Sequence, residues 1–169
     1  LESKSTNGVC GNGDSGTDWW GNQMVAPSLS ADGRYVAFFS EASNLVSGDT
    51  EGNRDVFVRD RVTGTTTRAS VSSIGAPGDD SSLVPVISAD GRYVAFQSFA
   101  TNLGGPDTGA GWDVFRHDML TGRTTNLSLA WNGTEAEGNS GGDEPTPIAG
   151  LAISTDGRWV TFQSSAVNL

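Results

Sequence analysis

One cysteine, one histidine, half as many bases as acids and no run of about 18 apolar residues set the first limits on this 169-residue chain. Cys10 is alone, so no internal disulfide can form, and in its polar Gly/Asn loop it reads as incidental. The single His117 excludes any site that needs several imidazoles. No segment is long and apolar enough for a membrane helix, and residues 1–25 lack the basic and apolar regions of a signal peptide; a soluble chain is expected. Ten Lys and Arg against twenty Asp and Glu give a net charge near −10, which repels phosphate backbones and anionic membranes and attracts cations. Nucleic acid and membrane insertion are therefore not expected. No long apolar stripe of period 3.6 occurs in a chain rich in Gly and turn residues, so the fold class expected is all-β.

What the chain does contain is repetition. Ser30-Ala-Asp-Gly-Arg-Tyr-Val-Ala-Phe38 returns unchanged as Ser88 to Phe96, and again as Ser154-Thr-Asp-Gly-Arg-Trp-Val-Thr-Phe162. Asp-Gly supplies the side-chain acceptor and the positive φ of a tight reversal. The segments that follow, Arg34 to Ser40, Arg92 to Ser98 and Arg158 to Ser164, are β-branched and aromatic and read as strands. Alternation places Val36 and Phe38 on one face and Tyr35 and Ala37 on the other. Both faces are apolar, so both must be covered. Recurring antiparallel hairpins covered on two faces by their neighbours are what a radial stack of blades requires.

Taken in order, strands A, B, C and D of the first repeat are expected at 25–30, 34–40, 55–60 and 65–71. Those of the second fall near 84–88, 92–98, 113–118 and 123–129, and A and B of a third at 149–154 and 158–164. Residues 1–26 read as the last strand of a preceding blade plus its loop, 27–83 as one blade, 84–147 as the next, and 148–169 as the first two strands of a further one. The register D, ABCD, ABCD, AB cannot close a ring by itself, so self-association or a longer chain is expected. The Asn-Leu pairs at 44–45, 102–103 and 168–169 mark the same point in each repeat.

The Ser-Ala-Asp-Gly-Arg-Tyr-Val-Ala-Phe string, together with Asp55-Val-Phe-Val-Arg-Asp60 and Thr63-Gly-Thr-Thr66, resembles the TolB-like, WD-type β-propeller repeat. The resemblance covers nearly the whole chain. It implies four-stranded antiparallel blades around a channel, a binding platform, and a periplasmic or secreted bacterial setting. The B–C and D–A loops here are longer than the simplest members need.

Antiparallel order sorts the charges. The short A–B and C–D turns share a rim with Arg34, Arg59, Arg61, Arg92, Arg116, Arg123 and Arg158. The long-loop rim takes most of the acids, with Arg54 as its one clear base. Binding residues concentrate on loops held by a scaffold, so this acidic rim is the expected working face, with solubility as the alternative reading. Asp49-Thr-Glu-Gly-Asn-Arg-Asp55 and Asp107-Thr-Gly-Ala-Gly-Trp-Asp113 share a pattern of Asp-Thr, glycine, then Asp at the first position of strand C. Asp49, Asn53 and Asp55, and Asp107 with Asp113, could turn oxygens on a hard cation such as Ca²⁺. The alternative is that Asp55 and Asp113 cap the loop by accepting backbone N–H bonds. Trp19, Trp20, Trp112 and Trp131 fall in long loops, where they would form a platform for a glycan or protein ligand, or else small loop cores. Trp159, in strand B, reads as packing.

Gly138-Asn-Ser-Gly-Gly-Asp143 looks like the nucleophile segment of trypsin-type proteases. Ser140 would need a histidine base, and His117 falls on the opposite rim, as a strand-end surface residue. The reading of the whole is a non-enzymatic binding or assembly module outside the cytoplasm. The alternatives are a glycan-active enzyme using loop carboxylates and an accessory propeller of a larger peptidase.

Overall fold

The computed structural model describes residues 2–16, 25–49, 52–105, 111–141 and 150–169. Among them are ten strands and no helix. The first repeat comprises β1 (Ser28–Leu29), β2 (Tyr35–Ser40), β3 (Asp55–Asp60) and β4 (Thr65–Arg68), paired in that order. The second comprises β5 (Ser82–Ile87), β6 (Tyr93–Ser98), β7 (Asp113–Asp118) and β8 (Thr124–Asn126), and the third pairs β9 (Ala152–Ile153) with β10 (Val160–Thr161). All neighbours are antiparallel. These are four-stranded propeller blades in an incomplete ring.

The repeated sequence makes the same local bonds each time. In the three Asp-Gly turns, Ser30, Ser88 and Ser154 each donate a hydroxyl to Asp32, Asp90 and Asp156 at 2.6 Å. The same carboxylates accept the backbone N–H of Arg34, Arg92 and Arg158. Phe38 opposes Phe57 across the ladder and Phe96 opposes Phe115, with ring centroids 5.8 and 6.1 Å apart.

Blades pack face to face. Ala37, Phe39, Val56 and Val58 of the first meet Val94, Phe96 and Phe115 of the second in the largest core. The other face of the second blade, Ala95 and Val114, meets Leu151, Ile153 and Phe162. Hydrogen bonds tie the turns as well: Ala31 N donates to Ala89 O at 2.9 Å, and Ala89 N to Thr155 O at 3.1 Å. Each repeat therefore holds the one after it by the same bond.

Most strands are shorter than expected, β1, β9 and β10 down to two residues each and β8 to three, and three differences have a visible local form. β5 starts at Ser82 and carries a bulge between Leu83 and Val86. The bulge takes Val84 and Pro85 out of the ladder, where the missing N–H of proline leaves no gap, and Val84 adopts a φ of +51°. β4 stops at Arg68 because Ala69 and Ser70 both turn their N–H toward Val56 O. At the N-terminus the described residues make a single Lys4–Cys10 bridge where a strand is expected, the counterpart of the Val71–Pro77 bridge that follows β4.

Candidate functional site

The long-loop rim is built by clamps at the repeated asparagines. The side chains of Asn44, Asn102 and Asn168 donate to Cys10 O, Pro77 O and Glu135 O at 2.9, 2.8 and 3.0 Å. Their Oδ1 atoms accept the backbone N–H of Asn12, Asp79 and Glu137 at 3.0, 3.1 and 2.8 Å. Each B–C loop thus grips the D–A loop before it. Serine pairs fix the same junctions, Ser15 with Ser40, Ser82 with Ser98 and Ser140 with Ser164. Ser140 is therefore a buried structural serine, and its hydroxyl meets Ser164 rather than a base.

His117 is buried, not on the surface as expected, and its ring bonds the hydroxyl of Thr124, its ladder partner on β8, at 2.8 Å. Burial lowers its pKa and so favours the neutral ring, opposed by the Asp118 charge.

The carboxylates expected to ligate a cation are buried around a base that the sequence reading left out. Arg68 Nη2 lies 3.3 Å from Asp49 and its Nη1 3.1 Å from Asp55. Asp55 also accepts the Ser70 hydroxyl at 2.6 Å. Asn53 turns its amide outward onto Asp79 O. In the second repeat Ser128 likewise donates to Asp113, but Asn126 occupies the position of Arg68, and its amide nitrogen is buried without a partner among the described residues. Asp107 lies outside the described residues. Among those that are described, no group of three or more His, Cys, Asp or Glu is placed to hold a metal. The Arg68/Asn126 difference, two positions before the repeated serines Ser70 and Ser128, was the available signal.

Exposed carboxylates do remain on this rim, at Asp14, Asp79, Asp80 and Glu137. Glu41 is paired with Arg54 at 2.6 Å. Of the loop tryptophans, Trp112 is 7% exposed and meets Phe99 edge-on, centroids 5.5 Å apart, so it is core. Trp131 is 92% exposed on its loop tip. Trp19 and Trp20 lie outside the described residues.

The opposite rim is a row of ion pairs. Arg34 grips Asp60 with Nε and Nη2 at 3.0 and 2.7 Å, and Arg92 grips Asp118 at the same distances. These guanidinium bonds hold both carboxyls well below the usual carboxylate range. Between neighbouring repeats this rim opens into clefts. The first, about 360 Å³, is lined by Tyr35, Val58 and Thr65 and walled by Met119 and Leu120 of the next repeat. The second, about 450 Å³, has Tyr93, Arg116 and Arg123 at the same positions.

These elements define a class: an open array of four-stranded β-propeller blades. No family model matches the chain, and no curated protein does. Solved structures of similar fold include a protein assigned as TolB from Agrobacterium tumefaciens, at 16% identity and TM-score 0.44, covering 87% of this chain and 47% of that one. TolB from Acinetobacter baumannii is similar at 17% identity and TM-score 0.27, over 83% and 43% of the two chains. An oligogalacturonate lyase from Vibrio parahaemolyticus is similar at 10% identity and TM-score 0.24, over 88% and 53%. The chain spans about half the length of these structures. No helix among the described residues is long and apolar enough to cross a membrane.

Proposed function

We propose that the chain is a non-enzymatic binding module that works outside the cytoplasm, with its acidic long-loop rim as the contact face and a cationic protein surface as its partner. The observation that carries this is the set of exposed carboxylates, Asp14, Asp79, Asp80 and Glu137, on loops that Asn44, Asn102 and Asn168 clamp to the blades. Charges fixed on a rigid scaffold steer and orient a partner without the entropy loss of ordering a loop. Trp131, exposed on one of these loops, would supply the apolar anchor. Calcium enters the proposal at the second repeat alone. At the first, a cation would have to displace Arg68 from two carboxylates.

The test is binding of poly-lysine to the whole chain, followed by calorimetry at low and at physiological ionic strength, with Ca²⁺ and with chelator. Affinity is expected to fall about tenfold with salt, and to be lost when Asp79, Asp80 and Glu137 are changed together to their amides. Salt-insensitive binding, or binding that survives the triple change, would reject the acidic rim as the contact face. A heat of Ca²⁺ binding that disappears in Asp107→Asn but persists in Asp49→Asn supports the cation; no heat in the parent chain excludes it.

A further inference from the structure

The sheet of β9 and β10 is half of a repeat whose other half no described residue supplies. β2 and β6 each have a strand on both sides, and the outer neighbour begins a hairpin, β3–β4 or β7–β8. Beyond β10 there is no strand among the described residues. Side chains that are covered in the complete repeats lie open here. Trp159, 66% exposed, stands where Tyr35 and Tyr93 are half-buried, Tyr93 under Arg116 of the neighbouring strand at 5.0 Å, and Leu169, 48% exposed, stands where Leu45 and Leu103 are buried. An unpaired edge flanked by apolar side chains recruits another strand.

The complete repeats specify what that strand must carry. Arg34 and Arg92 each grip the aspartate that ends the neighbouring strand, Asp60 or Asp118. Arg158 is the third copy of this arginine. Its guanidinium lies over its own Trp159 ring, 5.2 Å from the centroid, and makes no salt bridge among the described residues. On the outer side, Thr66 and Thr124 hold their strands to the preceding loop by donating hydroxyls to Lys4 O and Val71 O. The third copy of that loop carries the exposed Trp131. The clefts add a charge. Where the first has Val58 and Thr65, closed by Met119 and Leu120, the second has Arg116 and Arg123 and, among the described residues, no turn to close it.

We propose that the outer edge of β10 is a docking site for a β-hairpin of the chain's own C–D type, supplied by a segment outside residues 1–169, whose first strand ends in an aspartate for Arg158 and whose turn is acidic, opposite Arg116 and Arg123. The aspartate completes the third guanidinium clamp, the strand completes the β10 ladder, and the acidic turn takes the place that Met119 and Leu120 hold one blade earlier.

Two measurements test this on the full chain. In the first, a labelled peptide with the sequence of residues 113–126 and Leu120→Glu is titrated in and followed by anisotropy, and acrylamide quenching of tryptophan is read in parallel. Binding with reduced quenching is expected. It should weaken about tenfold when the peptide carries Asp118→Asn or the chain carries Arg158→Ala, the loss of one charged hydrogen-bonded pair. The second does not depend on a free peptide forming a hairpin. The sequence of residues 104–126 is appended directly to Leu169, the position equivalent to Leu103, with Leu120→Glu in the appended copy. The melting temperature should rise and quenching fall, and Asp118→Asn in the appended copy should remove most of the gain. An appended chain that melts and quenches like the parent overturns the proposal. So does a gain indifferent to Arg158→Ala. Light scattering that shows the parent chain pairing with itself through this edge, relieved by Trp159→Ser, overturns it in favour of a second copy as the occupant.

Discussion

Gly91 shows how one missing atom sets the spacing of two repeats. It has a φ of +74°, and a Cβ built there would lie 2.1 Å from the Tyr35 ring of the preceding blade. Gly157 stands against Tyr93 in the same way. Gly33, in the first copy of the turn, has a similar φ of +66° but open space, its nearest neighbour being Arg61 Nη1 at 3.9 Å. The pair separates backbone strain from packing. Gly33→Ala is expected to cost about 1–2 kcal/mol, the penalty of a left-handed conformation for an L side chain. Gly91→Ala carries that penalty and must also push the tyrosine out of its seat. Urea unfolding of the two variants checks this, and equal losses would mean that Tyr35 does not bear on the turn. The sequence shows Asp-Gly as a turn; it does not show that the glycine is also where the blades touch, because the tyrosine that needs the space lies 56 positions away.

At the scale of elements, the junctions between loops matter more than the loops. Asn102 Nδ2 and Oδ1 hold Pro77 O and Asp79 N, so Asn102→Ala leaves one acceptor and one donor without their partner. A loss of about 1–2 kcal/mol is expected, and hydrogen exchange should quicken in residues 71–81 while the β6 and β7 amides keep their protection. Uniform acceleration would mean that the loop and the blade open together. The strands were legible from alternation and turn residues alone, since both signals are local. The asparagine pairs were legible only as landmarks. Their partners sit on another loop, and no periodicity relates the two. The same holds for Arg68: the Asp-Thr…Asp pattern was visible, but the guanidinium between its ends comes from the far side of a hairpin. Trp159 fails differently. Its place in strand B predicts packing, which holds for Tyr35 and Tyr93 because Gly91 and Gly157 of the next repeat lie against their rings; among the described residues no such turn lies over Trp159, and the same position is exposed.

For the molecule as a whole, acid is the sensitive variable. Asp60 and Asp118 have their carboxyl pKa values lowered, chiefly by hydrogen bonds from Arg34 and Arg92. An unfolded chain regains the ordinary carboxylate value and so takes up protons first as pH falls. The stabilisation is complete above that value and is lost as pH drops toward the lower, folded one. Melting temperature is therefore expected to be flat near neutrality and to fall below about pH 4, with a shallower fall in Asp60→Asn. An identical slope in parent and variant would show that the clamp contributes nothing to acid stability. All-β architecture and the repeat register followed from the sequence because they rest on a string used three times; the charge balance of each rim did not, since ion pairing depends on which strand ends meet.

The bonds from Ala31 to Ala89 and from Ala89 to Thr155 run in one direction and recur once per repeat. Among the described residues the cores likewise join each repeat to its neighbour, as in a linear array. Under tension between its ends the junctions stand in series, and each carries the whole load. Each junction yields separately, so a pulled molecule should lengthen in discrete steps, one blade at a time, starting from the half-blade of β9 and β10, which has the fewest strands to lose.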